Sequence, residues 1–543
     1  MCGIHVTISP SNPPPLGQDL ERRLRNRGPD HLGTVHARLY DAPCPLTLTF
    51  TSTVLSLRGD HIAKQPLVDD ETGSLLCWNG EAWRIRGEAL ETSSDTEAVF
   101  EWLLDASRRG LVLEALRAIE GPFAFAYFDK PSKCLYYARD RLGRRSLLVK
   151  TGDHLTLSSV AESPSDDWIE VEADGCYKVD IGHAQSLHQM TPSRHAWVED
   201  DSLVLGIGLF NTSLPTELSR LCQDSLSVRQ LHQHLVKSLE TRVLGIPLPP
   251  GASNSDARLA VLFSGGLDCT VLARITSEIL PPGQSIDLIN VAFENPRIAS
   301  QHRGHSQEEL YELCPDRVTG RKSFAELLKT CPGRLWRFVT VNVPYTETRA
   351  HRGEIIHLIH PHNTEMDLSI ANALYFAARG DGSALVAAGS GPQPYQTTAR
   401  VLLSGLGADE LFGGYGRHGV AFSRNGYAGL MDELKLDVSR LGKRNLGRDD
   451  RVMAHWGREV RFPFLDETLV KWAVELPAWE KCDFGSRATG DSNLDPEKRV
   501  LRLLAQSLGM PSVAEEKKRA IQFGARTAKM ESGKVKGTTS ISH

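Results

Sequence analysis

A cysteine stands directly behind the initiator methionine, in the stretch MCGIHV that opens the sequence. If Met1 is removed, Cys2 carries a thiol and an α-amine on the same residue. An α-amine has a reference pKa of about 7.7–8.0, so it can take the thiol proton and later return it to a leaving amine. Cys2 is therefore predicted to act as nucleophile and base in acyl transfer, and Gly3 leaves room for an acyl substrate.

Attack by a thiolate creates an oxyanion, which needs hydrogen-bond donors. The stretch WNGE at 78–81 ends a strand-like run. In it, the side-chain amide of Asn79 and the backbone N–H of Gly80 form a suitable pair, and losing one such donor typically costs about 3–4 kcal/mol. An amino-acid substrate also needs carboxylates for its ammonium group, and Glu81 and Asp95 are the candidates.

The first third of the chain resembles class II glutamine amidotransferases, which are N-terminal-nucleophile hydrolases. Seven motifs occur in the order found in that family: MCGI (1–4), RGPD (27–30), QPL (65–67), NGE (79–81), SDTE (94–97), GPFAFAYFD (121–129) and RDRLGRRSLL (139–148). The resemblance implies that Cys2 cleaves glutamine to glutamate and ammonia, with Asn79 and Gly80 as the oxyanion hole. It places Glu81 and Asp95 near the substrate.

One strand departs from this pattern. The family places an arginine before a short strand motif, where it holds the glutamine carboxylate. Here the matching stretch, VLSL at 54–57, has no arginine in front of it, and Arg58 follows it. Arg58 is the candidate replacement from a shifted position, although a bidentate arginine is hard to replace.

A second glycine-rich stretch, VLFSGGLDCT at 261–270, follows an apolar run and precedes a helical pattern. Because a helix start offers N–H groups and the positive end of the helix dipole, this turn is a candidate phosphate cradle. No lysine follows as in a P-loop. The loop Ser264-Gly265-Gly266-Leu267-Asp268 resembles that of N-type ATP pyrophosphatases, which cleave ATP between the α- and β-phosphates. The resemblance implies that Asp268 helps to hold Mg²⁺.

Three later stretches are similar, in order, to asparagine synthetases: LLSGLGADELFGGYGRH (402–418), WGREVRFPFLD (456–466) and EKRVLR (497–502). CPDRVTGR (314–321) and 444–467 are more similar still to the divergent eukaryotic asparagine synthetase domain-containing proteins. The roles implied for single residues are adenine contacts for Leu262 and Phe293, nucleotide contacts for Ser404 and Gly405, a second Mg²⁺ carboxylate for Asp409, and a cation on the phosphates for Lys498.

Two residues depart from the synthetase pattern. Leu406 stands where the family has a glutamate that serves the ammonia step, and losing a general base typically costs about 10²–10⁴ in rate. Cys269 stands at the usual serine of the phosphate loop and is a weaker donor. The sequence therefore preserves ATP chemistry better than ammonia transfer.

The elements around these motifs predict two fold classes. Short apolar runs separated by turn residues dominate 1–180, which predicts an α+β N-terminal-nucleophile hydrolase domain with antiparallel sheets. A helix is expected over 95–110, with Asp95 and Thr96 as N-caps and Gly110 as its stop.

Farther on, apolar strands ending in glycine alternate with helical segments such as 364–380, where Thr364 and Asp367 have capping-box spacing. This pattern predicts an α/β parallel-sheet ATP pyrophosphatase domain. The expected boundaries are 1–205 for the first domain, 206–257 for a linker and leading helix, 258–526 for the second domain, and 527–543 for a disordered tail.

The composition of the chain limits the classes of binding partner that we expect. A net charge of -5 without basic clusters argues against nucleic-acid and membrane-surface binding. No leader pattern and no apolar run of about 20 residues occurs, which argues against secretion and membrane insertion. The ten scattered cysteines contain no CxxC pair and fit the reducing cytoplasm. Glutamine, ATP and aspartate are the expected small-molecule partners, and a homodimer is compatible with the sequence.

Together these features predict a glutamine-dependent, asparagine synthetase-like ligase in which ammonia passes internally to an aspartyl-adenylate, giving asparagine, glutamate, AMP and pyrophosphate. Two alternatives stay open: a catalytically weakened relative that binds a nucleotide or a protein, and a relative that adenylates another acid, as lactam-forming enzymes do. Each residue also has a simpler interpretation, for example Arg58 as a surface arginine, Lys498 as a solvated helix lysine and Asp409 as a metal-free helix N-terminal carboxylate.

Overall fold

The computed structural model describes residues 2–10, 15–39, 45–90, 92, 94–152, 154–164, 167–182, 190–216, 220–302, 304–385, 391–485, 494–530 and 536–541. The chain divides into two compact units. Unit 1 comprises Met1–Asp201, Glu354–Asn363 and Leu441–Glu459, and unit 2 comprises Ser202–Gly353, Thr364–Arg440 and Val460–His543. The units differ from the predicted domains because two segments from the second half of the chain belong to unit 1.

The N-terminal 200 residues of unit 1 are mainly strands. The elements are β1 (Gly3–Ser9), α1 (Gln18–Arg27), β2 (His31–Leu39), β3 (Leu46–Val54), β4 (Leu67–Val68), β5 (Leu75–Gly80), β6 (Arg84–Ile85), β7 (Glu88–Ala89), α2 (Asp95–Arg108), α3 (Val112–Arg117), β8 (Ile119–Glu120), β9 (Phe123–Asp129), β10 (Cys134–Arg139), β11 (Leu148–Lys150), β12 (Leu155–Ser158), β13 (Ile169–Glu170), β14 (Gly175–Asp180) and β15 (Ser193–Ala196). They form two six-stranded sheets, in the orders β13-β11-β12-β1-β3-β2 and β15-β14-β10-β9-β5-β4, and a small sheet β7-β6-β8.

The alternation of side chains along β9 shows how the layers of unit 1 pack. Ala124, Ala126 and Phe128 point into the core between the two large sheets. Phe123, Phe125 and Tyr127 point to the other face, where they pack with residues of α2 and α3. The neighbouring strands pair with β9 in antiparallel register, which confirms the predicted α+β class with antiparallel sheets.

The N-cap of helix α2 lies one residue before the first of the two predicted caps. Ser94, rather than Asp95 or Thr96, is the N-cap, and its Oγ accepts a hydrogen bond from the backbone N–H of Glu97 at 3.3 Å. Asp95 is the first helical residue, and its carboxylate accepts instead from the N–H of Ala82 at 2.8 Å. The short serine side chain therefore caps the helix, which leaves Asp95 available to the neighbouring loop.

The rest of the chain alternates strands and helices. The elements are β16 (Leu203–Val204), β17 (Gly208–Leu209), α4 (Leu226–Val243), β18 (Leu259–Leu262), α5 (Leu267–Ile279), β19 (Ile286–Phe293), α6 (Pro296–Ala299), α7 (Gln307–Glu312), α8 (Pro315–Thr330), β20 (Trp336–Val343), α9 (Tyr345–Ile359), α10 (Glu365–Arg379), β21 (Asp381–Ala384), β22 (Gln393–Gln396), β23 (Val401–Leu403), α11 (Ala408–Phe412), α12 (Gly416–Ser439), α13 (Leu441–Arg444), α14 (Leu446–Ala454), β24 (Glu459–Arg461), α15 (Glu467–Glu475), α16 (Arg499–Ser507), α17 (Pro511–Ala514) and α18 (Ile521–Gly524), with 3₁₀ turns at Pro463–Leu465 and Ala478–Glu480.

A seven-stranded sheet has the order β22-β21-β20-β19-β18-β23-β24, and its centre is parallel. This confirms the predicted α/β class. Because β18 and β23 are parallel neighbours, the loops that follow them, SGGLD and SGLGADE, lie at the same edge of the sheet. Ligands of open α/β sheets bind at this carboxyl edge.

Helix α10 has the predicted capping box. Thr364 accepts from the N–H of Asp367, the Asp367 carboxylate accepts from the N–H of Thr364, and Gly380 ends the helix in the left-handed conformation.

The tail differs from the predicted disorder over residues 536–541. Ser540 pairs with Thr364, and the N–H of Glu365 donates to the carbonyl of Thr539 at 3.0 Å, because the first turn of a helix has N–H groups without helical partners.

Across the ranges given above, none of the helices is both long enough and apolar enough to cross a bilayer.

Candidate active sites

The first candidate site lies at the start of β1 in unit 1. Its pocket, of about 480 Å³ including the open mouth, brings together five predicted residues: Cys2, Arg58, Gly80, Glu81 and Asp95. Asn79, the sixth, lies behind it, and its Oδ1 accepts from the backbone N–H of Cys2 at 3.0 Å. The fold therefore brings the six predicted residues together around Cys2.

Asn79 and Gly80 are the last two residues of β5. The Nδ2 of Asn79 is buried, and no hydrogen-bond acceptor for it occurs among the described residues. Gly80 has φ of +150°, and a Cβ there would lie 2.0 Å from the carbonyl oxygen of Pro122, so no larger residue fits. A buried amide donor without a partner is costly in a folded chain, and it is the kind of group that an oxyanion would satisfy.

Charged groups line the rest of this pocket. Burial raises the pKa of Asp95, although the N–H of Ala82 and the nearby Arg58 favour its ionised form. The guanidinium of Arg58 lies 4.0 Å from the Glu81 carboxylate and donates to the carbonyls of Ala82, at 3.3 Å, and Leu90. Arg58 thus lies inside the pocket and is not a solvated surface residue, since only a quarter of its side chain is exposed.

Gln65 and Glu459 are polar residues of this pocket that were not predicted as site residues. Gln65 directs its Nε2 at the Cys2 sulfur over 3.8 Å, and its Oε1 accepts from the N–H of Trp78 at 2.7 Å. Glu459 lines the same pocket, with a carboxylate oxygen 3.4 Å from Nη2 of Arg145. The QPL motif was a signal for Gln65. Nothing in the sequence links Glu459 to Cys2, because the two residues are 457 positions apart (459 − 2). Burial raises the pKa of the Cys2 thiol, and Glu459 raises it further.

The second candidate site is a cavity of about 1090 Å³ in unit 2, at the carboxyl edge of its sheet. Eight of the predicted residues line it: Leu262, Ser264, Gly266, Asp268, Ser404, Gly405, Asp409 and Lys498. Gly265 packs on the other side of the loop against α8, where its Cβ would lie 2.5 Å from Cα of Gly320. The two loops and the lysine are thus brought together around one space.

A buried charge cluster forms the floor of this cavity. Nζ of Lys498 lies 2.7 Å from Asp268 and 2.9 Å from Asp409, and Nζ of Lys518 lies 2.7 Å from Asp409. Burial opposes these charges, but Lys498 and Lys518 lower the pKa of Asp409 to about 2. Likewise, both carboxylates hold the pKa of Lys498 above its ordinary value against the effect of burial. Burial raises the pKa of Asp268, and the ammonium of Lys498 opposes that rise. The ion pairs therefore favour the charged forms of Asp409 and Lys498.

Three residues singled out by the sequence contribute differently than expected. Phe293 is not among the described residues that line the cavity; its ring packs against Phe376, with centroids 5.6 Å apart. Cys269 directs its sulfur at the carbonyl of Gly266, 3.3 Å away, on the loop itself. Leu406 is half-buried, and its N–H donates to Oγ of Ser404 at 3.3 Å.

Apolar and charged side chains both line the cavity. The apolar residues are Leu262, Ile289, Val291, Leu374, Ala377 and Ile521. The charge cluster and the start of α5, where helical N–H groups are available, line it as well. An adenine nucleotide likewise combines an apolar base with charged phosphates.

The cavity of unit 2 offers few side-chain ligands for a divalent cation. Within the described ranges, no group of three or more His, Cys, Asp or Glu side chains is arranged to hold a metal ion. Mg²⁺, however, is usually held by one or two carboxylates together with phosphate oxygens. Asp268 and Asp409, which face the same cavity as the phosphate loop, fit that requirement.

In comparisons with known proteins, two different family models match the two ends of the chain. A glutamine amidotransferase domain model matches residues 1–174, and an asparagine synthase model matches residues 423–539. The chain is 33% identical to asparagine synthetase domain-containing protein 1 of Bos taurus, over 99% of this chain and 97% of that protein. It is 32% identical to the Homo sapiens protein of that name, over 98% and 96% of the two chains. It is also 23% identical to asparagine synthetase B [glutamine-hydrolyzing] of Escherichia coli, over 93% and 78%.

Proposed function

Because the chain belongs to the asparagine synthetase domain-containing protein family, we propose that it is a glutamine-dependent ligase that adenylates a carboxylic acid with ATP and amidates it. Aspartate, or an acid closely related to it, is the proposed acceptor. The observation that carries the proposal is the ammonium of Lys498, held between Asp268 and Asp409 at the loop that follows β18. A cation fixed beside a nucleotide-sized cavity can bind the charge that develops on the phosphate oxygens during adenylation.

In unit 1 the proposed reaction is glutamine hydrolysis. After removal of Met1, the α-amine of Cys2 takes the thiol proton, and the sulfur attacks the side-chain carbonyl carbon of glutamine. The oxyanion accepts from Nδ2 of Asn79 and the N–H of Gly80. The α-ammonium then protonates the leaving nitrogen, ammonia departs, and water hydrolyses the thioester to glutamate. Arg58 binds the glutamine carboxylate, and Glu81 and Asp95 bind its ammonium group.

In unit 2 the proposed reaction joins the acceptor to AMP. A carboxylate oxygen of the acceptor attacks the α-phosphorus of ATP, and pyrophosphate leaves. Lys498 binds the charge that develops on the phosphate oxygens, where a fixed cation is most effective. Ammonia then attacks the acyl carbon, loses a proton, and AMP leaves as the amide forms. Asp268 and Asp409 would hold Mg²⁺, which supplies charge neutralisation on the phosphates when bound.

Pyrophosphate release tests this proposal. Purified protein is supplied with ATP and aspartate, with either glutamine or ammonium as nitrogen source. We expect Cys2→Ala to abolish release driven by glutamine and to retain release driven by ammonium. Cys222→Ala, at an exposed cysteine, is the matched control. Absence of acid-dependent release from the wild type with aspartate and a panel of other carboxylic acids would refute the ligase proposal.

A second candidate function is nucleotide binding without amide synthesis, and Leu406 is the observation that favours it. Its side chain has no proton to exchange on the loop where the synthetase pattern has a glutamate. Leu406→Glu separates the two functions: a gain in amide formation, with a matching gain in pyrophosphate release, would identify this position as the limit on ammonia transfer. If neither product forms with the wild type or with this variant, while ATP still binds, the binding function is supported.

A further inference from the structure

Asp316 is a buried carboxyl group that lines the nucleotide cavity and has no part in the charge cluster at its floor. It is the second residue of α8, and only 6% of it is exposed. Val291 and Ile521, two apolar residues, line the same cavity. A carboxyl group among apolar side chains is costly unless a ligand or a proton compensates for it.

The oxygens of Asp316 have no hydrogen-bond donor in the part of the chain that the structure describes. Its backbone carbonyl accepts from Nδ2 of Asn290 at 2.9 Å, which fixes the start of α8 against β19. On the other side lies Gly524 of α18, where a Cβ would come within 2.0 Å of Oδ1 of Asp316. The carboxyl group is thus held at a defined position beside the cavity, while its hydrogen-bonding capacity is unused.

The position of Asp316 selects which part of a nucleotide it meets. The phosphates belong with the start of α5 and the charges of Asp268, Asp409, Lys498 and Lys518. The base belongs among the apolar residues. Asp316 lies beside two of these, because it adjoins Gly524 of the helix that carries Ile521 and its carbonyl accepts from Asn290, the neighbour of Val291. A base also has a polar edge, which must find hydrogen-bond partners when it is buried.

The electrostatic surroundings of Asp316 allow both protonation states near neutral pH. Burial raises its pKa to about 7, against the opposing charge of Arg519 from the segment before α18. On its own helix, Cys314 keeps a thiol whose pKa is raised to about 11, and Arg317 turns away toward Asn290 and Glu312. Neither β19 nor α18 presents a charged side chain to it.

We propose that Asp316 recognises the adenine base, donating as a neutral carboxylic acid to N1 and accepting from the N6 amino group. A neutral carboxyl group matches this donor–acceptor pair, whereas a carboxylate can only accept. Guanine presents a ring N–H and an amino group at the corresponding edge, so the ionised form would suit it better. The inference rests on the proposed ATP-dependent function and adds to it a residue that selects the base.

The proposal predicts that affinity for ATP falls as Asp316 ionises. With a pKa of about 7, the neutral fraction decreases roughly tenfold between pH 6 and pH 8, so the dissociation constant should rise about tenfold. The γ-phosphate of ATP titrates near this range as well. Asp316→Asn corrects for it, because an asparagine amide can donate to N1 and accept from N6 at any pH.

Isothermal titration of the full chain with ATP at pH 6 and pH 8 is the experiment, repeated with GTP. We expect Asp316→Asn to bind ATP at pH 6 about as the wild type does and to lose most of the pH dependence. Asp316→Leu should bind ATP at least tenfold more weakly at pH 6. Asp381→Asn, which changes an exposed acid of the same unit, should behave as the wild type.

The outcomes separate this inference from the proposed function. If the wild type binds ATP but its pH dependence matches that of Asp316→Asn, the base-recognition role is overturned while the ligase proposal stands. An unchanged preference for ATP over GTP in Asp316→Leu would overturn it in the same way. If the folded wild type binds no ATP at either pH, both proposals fail together.

Discussion

Nζ of Lys498 lies 2.7 Å from Oδ1 and 2.8 Å from Oδ2 of Asp268, so one ammonium group bridges both oxygens of the carboxylate. Lys498 is 3% exposed and has φ of +52°, a left-handed conformation that side chains other than glycine rarely adopt. Such a conformation costs on the order of 1–3 kcal/mol and persists where the surroundings impose it. The strained backbone and the ion pair together fix a cation in the cavity.

Replacing this lysine should affect both stability and chemistry. In Lys498→Met, Asp268 and Asp409 are left buried without their common cation, and breaking a buried pair typically costs about 3–5 kcal/mol. We expect a lower midpoint in urea denaturation and loss of pyrophosphate release. Lys435→Met, at an exposed lysine of α12, is the control. Normal pyrophosphate release by Lys498→Met would show that the cation does not act on the phosphates.

Asn79→Asp isolates the oxyanion donor. The substituted side chain can still accept from the N–H of Cys2, but it replaces the donor Nδ2 with an oxygen. We expect kcat for glutamine hydrolysis to fall about 10²–10³-fold, the typical cost of one oxyanion donor. Glutamate release is the measurement, and ammonium-driven pyrophosphate release serves as the internal control. A kcat within twofold of the wild type would remove Asn79 from the oxyanion hole.

Arg58→Ala tests whether a shifted arginine holds the glutamine carboxylate. A hydrogen bond to a charged group contributes about 1.5–3 kcal/mol, so KM for glutamine should rise roughly 10–100-fold, with a smaller change in kcat. Arg108→Ala, with 59% of its side chain exposed, is the matched control. If KM is unchanged and only the melting temperature falls, Arg58 serves to hold the carbonyls of Ala82 and Leu90.

Glu354 should make unit 1 sensitive to acid. It pairs with Arg23 of α1 at 2.9 Å, and although burial opposes this, Arg23 and Arg22 lower its pKa from 4.5 to about 2. Because the folded-state value is the lower one, the stabilisation is present above about pH 4.5 and is lost as the pH falls toward 2.

We expect Glu354→Gln to lower the free energy of unfolding by about 1–3 kcal/mol at pH 7, a figure reduced for partial exposure. The difference from the wild type should shrink steadily below pH 4.5 in urea titrations. Glu101→Gln, at an exposed position of α2, controls for the charge change. A difference that stays constant down to pH 2.5 would contradict the assigned ion pair.

Local features of the sequence were sufficient for much of the fold and for naming candidate residues that the fold brings together at each site. The alternation in FAFAYFD and the capping box of Thr364 and Asp367 depend on neighbouring residues only, and motif order placed Cys2, Asn79 and Asp95 together. The differences lie where contacts between distant residues decide. Phe293 is apolar, as a residue that contacts adenine would be, yet its ring packs against Phe376 of α10.

The residues that were missed belong to the same class. Asp316 follows a proline at a helix start, which is the local signal of an N-terminal turn and carries no indication of a cavity. Glu459 reaches the Cys2 pocket because its segment, Leu441–Glu459, packs in unit 1. No periodicity or spacing in the sequence predicts that this late segment joins the N-terminal unit.

The return of residues 441–459 to unit 1 also has a consequence for biosynthesis. Arg27, whose Nε donates to the carbonyl of Cys2, pairs with Asp450 at 2.9 Å, and Glu459 completes the pocket wall. Neither acid exists until the ribosome has translated most of the message. A nascent chain therefore cannot assemble this pocket early, and expression of the N-terminal 205 residues alone would yield a polypeptide without those two carboxylates.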